Sequence, residues 1–116
     1  MNVVADSSVL ISLSAIGRLE IIHARFPEGI CLAPAVWREV VEQGRERPGT
    51  DEIRTAVWVR RAQVKDLVFA DYLRIALDDG EAESIALARE INANLILVDE
   101  RDAREVPEVD PNLCCL

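Results

Sequence analysis

Four acids, Asp6, Glu39, Glu81 and Asp99, lie far apart in the chain but share one local setting. Asp6 ends the β-branched run of residues 2–5, and Asp99 ends "NLILVDE", the clearest buried strand pattern. Glu39 lies within the helical stretch "PAVWREVVEQG" on the stripe Val36, Glu39, Val40, Gln43. Glu81 opens "EAESIALA", sharing a stripe with Ile85 and Ala88. In open α/β sheets the crevice beyond the carboxyl ends of the strands is where ligands bind. Carboxylates gathered on such a rim repel one another and raise each other's pKa unless a cation intervenes. An all-oxygen ligand set suits Mg2+ or Mn2+, and the reaction such an ion promotes beside a phosphate is metal-assisted phosphodiester hydrolysis.

Each acid also has an ordinary reading. Asp6, Ser7 and Ser8 suit a helix N-cap, Glu39 taken singly suits a solvated helix face, and Glu81 and Glu83 suit the positive end of a helix dipole. Asp99 suits a cap for whatever follows it. The argument for chemistry is the repetition at successive strand exits, not any one residue. Glu83 competes with Glu81, because two residues is about 200° of helix and only one of them faces the rim squarely; the apolar stripe favours Glu81. Asp102 competes with Asp99.

The elements that must position these acids follow from periodicity. A strand at residues 2–5 runs into a helix over 8–16, with a second helix over 19–26. "ICLAP" reads as a short strand, followed by a helix that Pro34 begins and Gly44 closes. A helix is expected from Thr50 or Asp51 to about Arg61, a weak third strand in "VKDLVF", and a short helix over 71–77. "DDGEAESIALAREINA" is the strongest helix, leading into the strand of residues 94–100. The tail from Glu105 shows no period and is expected to be irregular. Strands alternating with helices predict an α/β domain with a mainly parallel central sheet flanked by helices.

Bulk properties agree with one domain. The chain has 116 residues, half of them hydrophobic and 29% charged. No apolar stretch reaches the roughly 20 residues of a membrane helix, and the start lacks a leader pattern, so a cytoplasmic location is expected. Cys31, Cys114 and Cys115 fit neither a disulfide framework nor a zinc pattern and are expected to be reduced. With 13 basic and 21 acidic residues the net charge is −8, which excludes a broad basic footprint for nucleic acid. Phosphate contacts would fall to local arginines: Arg38, Arg45, Arg47, Arg101 and Arg104. His23 reads as an exposed helix residue, and Trp37 and Trp58 as core or interface residues.

The blocks "VVADSSVLISLSAIGRLEII", "CLAPAVWREVV", "DDGEAESIALARE" and "LILVDERDAR" resemble, in order and spacing, the successive blocks of PIN domains of the VapC-like branch. The resemblance spans residues 2 to about 104, leaving 105–116 as an atypical tail, and implies a three-layer PIN-like domain. It implies a Mg2+- or Mn2+-dependent ribonuclease, the toxin of a toxin–antitoxin pair, acting on RNA and dimerising with its own copy. Asp6, Glu39, Glu81 and Asp99 would then be both metal ligands and catalytic acids, with Ser7 or Ser8 orienting the first. Similar proteins continue past the DERDAR block with another strand and helices, so the chain is expected to lack its last strand and helices, leaving a sheet edge open and core uncovered.

Two other classes compete with this reading. A catalytically degenerate PIN-like binding protein would hold metal and not cleave. A receiver-like phosphotransfer domain would need an acid ending its middle strand and a lysine on a late one, whereas Lys65 is the only lysine. The absence of GxGxxG argues against a dinucleotide-binding domain.

Overall fold

The structure is a computed structural model and describes residues 2–44, 47 and 49–98, with the backbone of Leu113–Cys115. Its centre is β1 (Val3–Ala5), completely buried. On one side β1 pairs with β2 (Ile30–Leu32), which pairs with β3 (Val59–Arg61); on the other it pairs with β4 (Leu95–Val98), which pairs with β5 (Leu113–Cys115). Every pairing is parallel and the order is β3-β2-β1-β4-β5. Inner strands of a parallel sheet are covered on both faces, which is why β1, β2 and β4 read as unbroken apolar runs.

The chain first winds outward through β2 and β3, then crosses β1 to lay down β4 on the opposite side. The direction of winding therefore reverses between β1 and β4, and the crevice beyond that point is the ligand position of doubly wound sheets. Register places Ala5 opposite Leu97, and the Asp6 N–H continues the ladder to the Leu97 carbonyl at 2.9 Å. Asp6 thus leaves the sheet at the reversal.

Helices α1 (Ser7–Ala15) and α2 (Glu20–Arg25) follow β1. Helix α3 (Pro34–Trp37) follows β2 with proline in its first turn, where the missing N–H costs nothing. It runs on through a widened turn, Arg38–Glu42, closed by a five-residue step from the Gln43 N–H to the Arg38 carbonyl at 2.7 Å. Such widened turns are often found at functional sites, and this one carries Glu39. Helices α4 (Thr50–Thr55), α5 (Leu67–Leu73) and α6 (Asp79–Glu90) complete the set. Helix α6 packs on α3, β1 and β4, so it is the element that faces the reversal point.

The main core joins the strands to Leu10, Leu19, Ile22, Val36, Ile53 and Leu87. A smaller cluster of Ala70, Leu73, Leu77, Ala82 and Ala86 seals α5 against α6. Trp37 and Trp58 are partly buried against the main core, as expected, and exposed His23 stacks on Trp58 with ring centroids 4.9 Å apart. Cys31 is a buried free thiol. Gly29 is required beneath Trp58: its φ is +97°, and a Cβ there would lie 2.1 Å from the Trp58 carbonyl oxygen. Among the described residues no helix is long and apolar enough to cross a membrane.

Three expectations are corrected. The third strand is Val59–Arg61, not "VKDLVF", and the helix expected to run to Arg61 stops at Thr55. "LVF" instead opens α5, because the Asp66 side chain accepts the Phe69 N–H at 3.0 Å and caps a helix there. Its Leu67 and Val68 are exposed, so their apolar character does not mark a buried strand. The tail is not wholly irregular, since Leu113–Cys115 forms β5 against β4 and the strand expected to be missing is present.

Candidate metal centre

Asp6 is fully buried at the start of α1 and is both its N-cap and the first wall of the site. Oδ1 accepts the Ser7 N–H at 2.6 Å, and Oδ2 accepts the Ser8 hydroxyl at 3.1 Å. The N-cap reading of this acid given by the sequence therefore holds. Ser7 adds a bridge: its Oγ donates to Glu39 Oε2 at 2.9 Å while lying 3.3 Å from Asp6 Oδ1. A hydroxyl has one proton to give, and the shorter contact assigns it to Glu39. The side chains of residues 6 and 39, from different strand exits, are thus brought together through one serine.

Glu39 is confined on its other side by α6. A Cβ on Gly80 would lie 2.6 Å from Glu39 Oε1 and 3.5 Å from Ser7 Oγ, so the glycine lets the helix backbone approach the carboxylate. Burial pushes the Glu39 carboxyl above the ordinary glutamate value of 4.5; the Ser7 hydrogen bond opposes this, Asp78 and Asp79 add repulsion, and Arg38 offsets part of it. An acid whose folded pKa is raised holds its proton to higher pH when folded than when unfolded. Folding stability then falls as pH climbs from about 4.5 through the raised value, and the loss persists above it.

Glu39→Gln removes that penalty and keeps an acceptor for Ser7. In chelator, the variant is expected to be more stable than the parent at pH 7 and equal to it at pH 4. Because the carboxylate is half-buried, solvent screening keeps the gain under about 1 kcal/mol. Denaturant midpoints at the two pH values measure it; a gain at pH 4 as large as at pH 7 would contradict this origin.

Glu81 stands in the first turn of α6, half-buried, one residue past Gly80, with its N–H bonded to Asp78 Oδ1 at 2.9 Å. It is at the same helix end as the Gly80–Glu39 contact. Glu83 faces elsewhere: it is buried, accepts the Ala35 N–H at 2.9 Å and meets Arg74 at 2.8 Å. Asp99 and Asp102 lie outside the described residues, as do Arg45, Arg101 and Arg104; β4 ends one residue before Asp99. Arg38 and Arg47 are exposed.

Among the described residues no three His, Cys, Asp or Glu side chains are grouped closely enough to hold an ion by themselves. Of the described candidate acids, Asp6 and Glu39 are the two brought together. Mg2+ is commonly bound by one or two carboxylates and completed by water and substrate oxygens, so the all-oxygen pair fits a hard divalent cation. A cation held there would also offset the repulsion that Asp78 and Asp79 exert on Glu39.

The steric role of Gly80 and the reach of Glu83 were missed in the sequence. The run "DDGEAE" carried the only signal for them, and it is equally the signal for an acidic first turn.

A protein-family model described as a PIN domain matches residues 2–109, nearly the whole chain. The chain belongs to the PIN-domain family. PIN domains are generally nucleases that use divalent metal, so a nuclease-type function is the class in which the site falls. No curated protein and no solved structure matches the chain.

Proposed function

We propose that this PIN domain is an endoribonuclease of the VapC-like branch, hydrolysing RNA phosphodiester bonds with Mg2+ or Mn2+. In this reading Asp6, Glu39, Glu81 and Asp99 are its metal-holding and catalytic acids. The observation that carries the reading is the meeting of Asp6 and Glu39 on Ser7 at the reversal point of the sheet. The order of the sequence blocks supports the branch, and with it the further proposals of an antitoxin partner and a homodimer.

Of these four acids, Asp6, Glu39 and Glu81 are described residues that would hold the ion, and Asp6 and Glu39 meet on Ser7. A divalent cation supplies Lewis acidity toward the phosphoryl group and makes hydroxide accessible near neutral pH. The protein's own part is positioning. Ser7 and Ser8 fix both oxygens of Asp6, the Ser7 proton fixes Glu39, and the Gly80 backbone limits where the Glu39 carboxylate sits. Arg38, exposed and offsetting part of the charge around Glu39, would meet an incoming phosphate in this reading.

The test is cleavage of labelled single-stranded and structured RNA by the full chain. Cleavage is expected with Mn2+ or Mg2+, and none in EDTA. Cleavage that survives both EDTA and Asp6→Asn overturns the reading, as does metal-dependent cleavage confined to DNA.

A further inference from the structure

Helix α3 begins without a cap of its own. Ala33, at the N-cap position, has no side-chain oxygen, and Pro34 has no N–H. Ala35 is therefore the first residue whose N–H needs an outside acceptor, and an uncapped, buried N–H is costly. The acceptor comes from 48 residues downstream: Glu83 Oε1, at 2.9 Å. Glu83 is 7% exposed, so its second oxygen also needs a partner, and Arg74 Nη2 supplies one at 2.8 Å.

The same guanidinium reaches Asp79 Oδ1 through Nε at 2.9 Å and Asp71 through Nη1, tying the start of α6 to α5. Arg38 Nη2 stands 3.9 Å from Glu83 Oε2. A carboxylate so surrounded is aimed at the beginning of α3. Ala35 and Glu39 are four residues apart, about one turn along the α3 segment.

We propose that Glu83 is a positioning residue of the metal centre. It pins the first turn of α3 through the Ala35 N–H, sets the height at which Glu39 meets Ser7 and Gly80, and does not itself hold the ion. One helix, α6, then fixes Glu39 twice: Gly80 bounds the carboxylate, and Glu83 anchors the segment that carries it. The inference rests on the reading of Asp6 and Glu39 as the metal centre.

A ligand and a positioning acceptor respond differently to loss of charge. Glutamine in place of Glu83 keeps an oxygen for the Ala35 N–H but offers an ion no carboxylate; alanine removes both. Two measurements separate the roles: Mn2+ binding by calorimetry, and hydrogen exchange of the Ala35 amide in metal-free protein.

Glu83→Gln is expected to bind Mn2+ within about threefold of the parent and to keep Ala35 slow to exchange. Glu83→Ala is expected to bind about tenfold or more weakly, at unchanged stoichiometry, with Ala35 exchange accelerated to a similar degree. If Glu83→Gln keeps Ala35 protected yet loses Mn2+ binding tenfold or more, Glu83 is a ligand and the proposal is overturned; this holds even if the alanine variant does not fold. Unchanged Ala35 exchange in a folded Glu83→Ala overturns it as well. A parent chain that binds no Mn2+ counts against the metal centre instead, while Ala35 exchange continues to report on the cap separately.

Discussion

Asp6→Asn is expected to lower metal-dependent RNA cleavage on the order of 10³-fold while leaving the fold intact. The two halves of this expectation come from different atoms. Asparagine keeps Oδ1 to accept the Ser7 N–H, and its amide faces the Ser8 hydroxyl, which can turn to accept instead of donate. The cap of α1 and the fully buried packing around residue 6 are thereby retained. What disappears is the negative charge opposite Glu39. Changes in groups that merely support a ligand already cost about 10- to 100-fold in metal affinity or activity, so loss of a ligand's charge costs more. Single-turnover cleavage at saturating Mn2+, with a thermal midpoint on the same preparation, separates the two halves. Retained cleavage removes Asp6 from the chemistry; a collapsed midpoint makes its part structural.

Gly80→Ala is expected to separate stability from activity. Alanine is the better helix former, and at the first turn of α6 the exchange should leave stability unchanged or raise it by up to about 1 kcal/mol. The added methyl, however, would sit 2.6 Å from Glu39 Oε1. That oxygen is the far end of a flexible side chain, so the carboxylate swings aside and the backbone is spared. A displacement of about 1 Å at a reacting centre costs on the order of 100-fold, and cleavage should fall by about 30- to 100-fold. The same variant should need more Mn2+ to reach half its maximal rate. Parent-like cleavage with a parent-like midpoint would show that the close approach of α6 does not control Glu39.

The positions of Asp6 and Glu39 are more legible in the sequence than the periphery of the fold. Asp6 could be placed because a fully buried parallel strand leaves an unbroken apolar signature and a polar residue stands out at its end. Glu39 was placed by its stripe and by the proline that starts α3. The third strand was misplaced for the converse reason. Residues Val59–Arg61 form a strand with partly or fully exposed side chains, two of them arginines, so β3 has no apolar pattern to read. The nearby apolar run lies partly on the exposed side of α5, where Val68 and Tyr72 face outward. The β5 segment depends on pairing with β4, a tertiary contact that a local pattern with two prolines does not announce. Glu81 and Glu83 illustrate the limit of stripe reasoning: the apolar stripe ran through Glu81, yet Glu83 is the more deeply buried, because Ala35 and Arg74 satisfy it.

The partnership of β1 with β4 also sets when the centre can come into being. Asp6 is synthesised well before its partner: its own N–H finds its acceptor at Leu97, 91 residues later. At about 5–20 residues per second, a growing polypeptide carries Asp6 for on the order of 5–20 s before that acceptor is made. During that interval β1 has no neighbour on its β4 side. The seating of Asp6 at the sheet reversal is therefore a late event: it is complete only once β4 has been made and paired with β1.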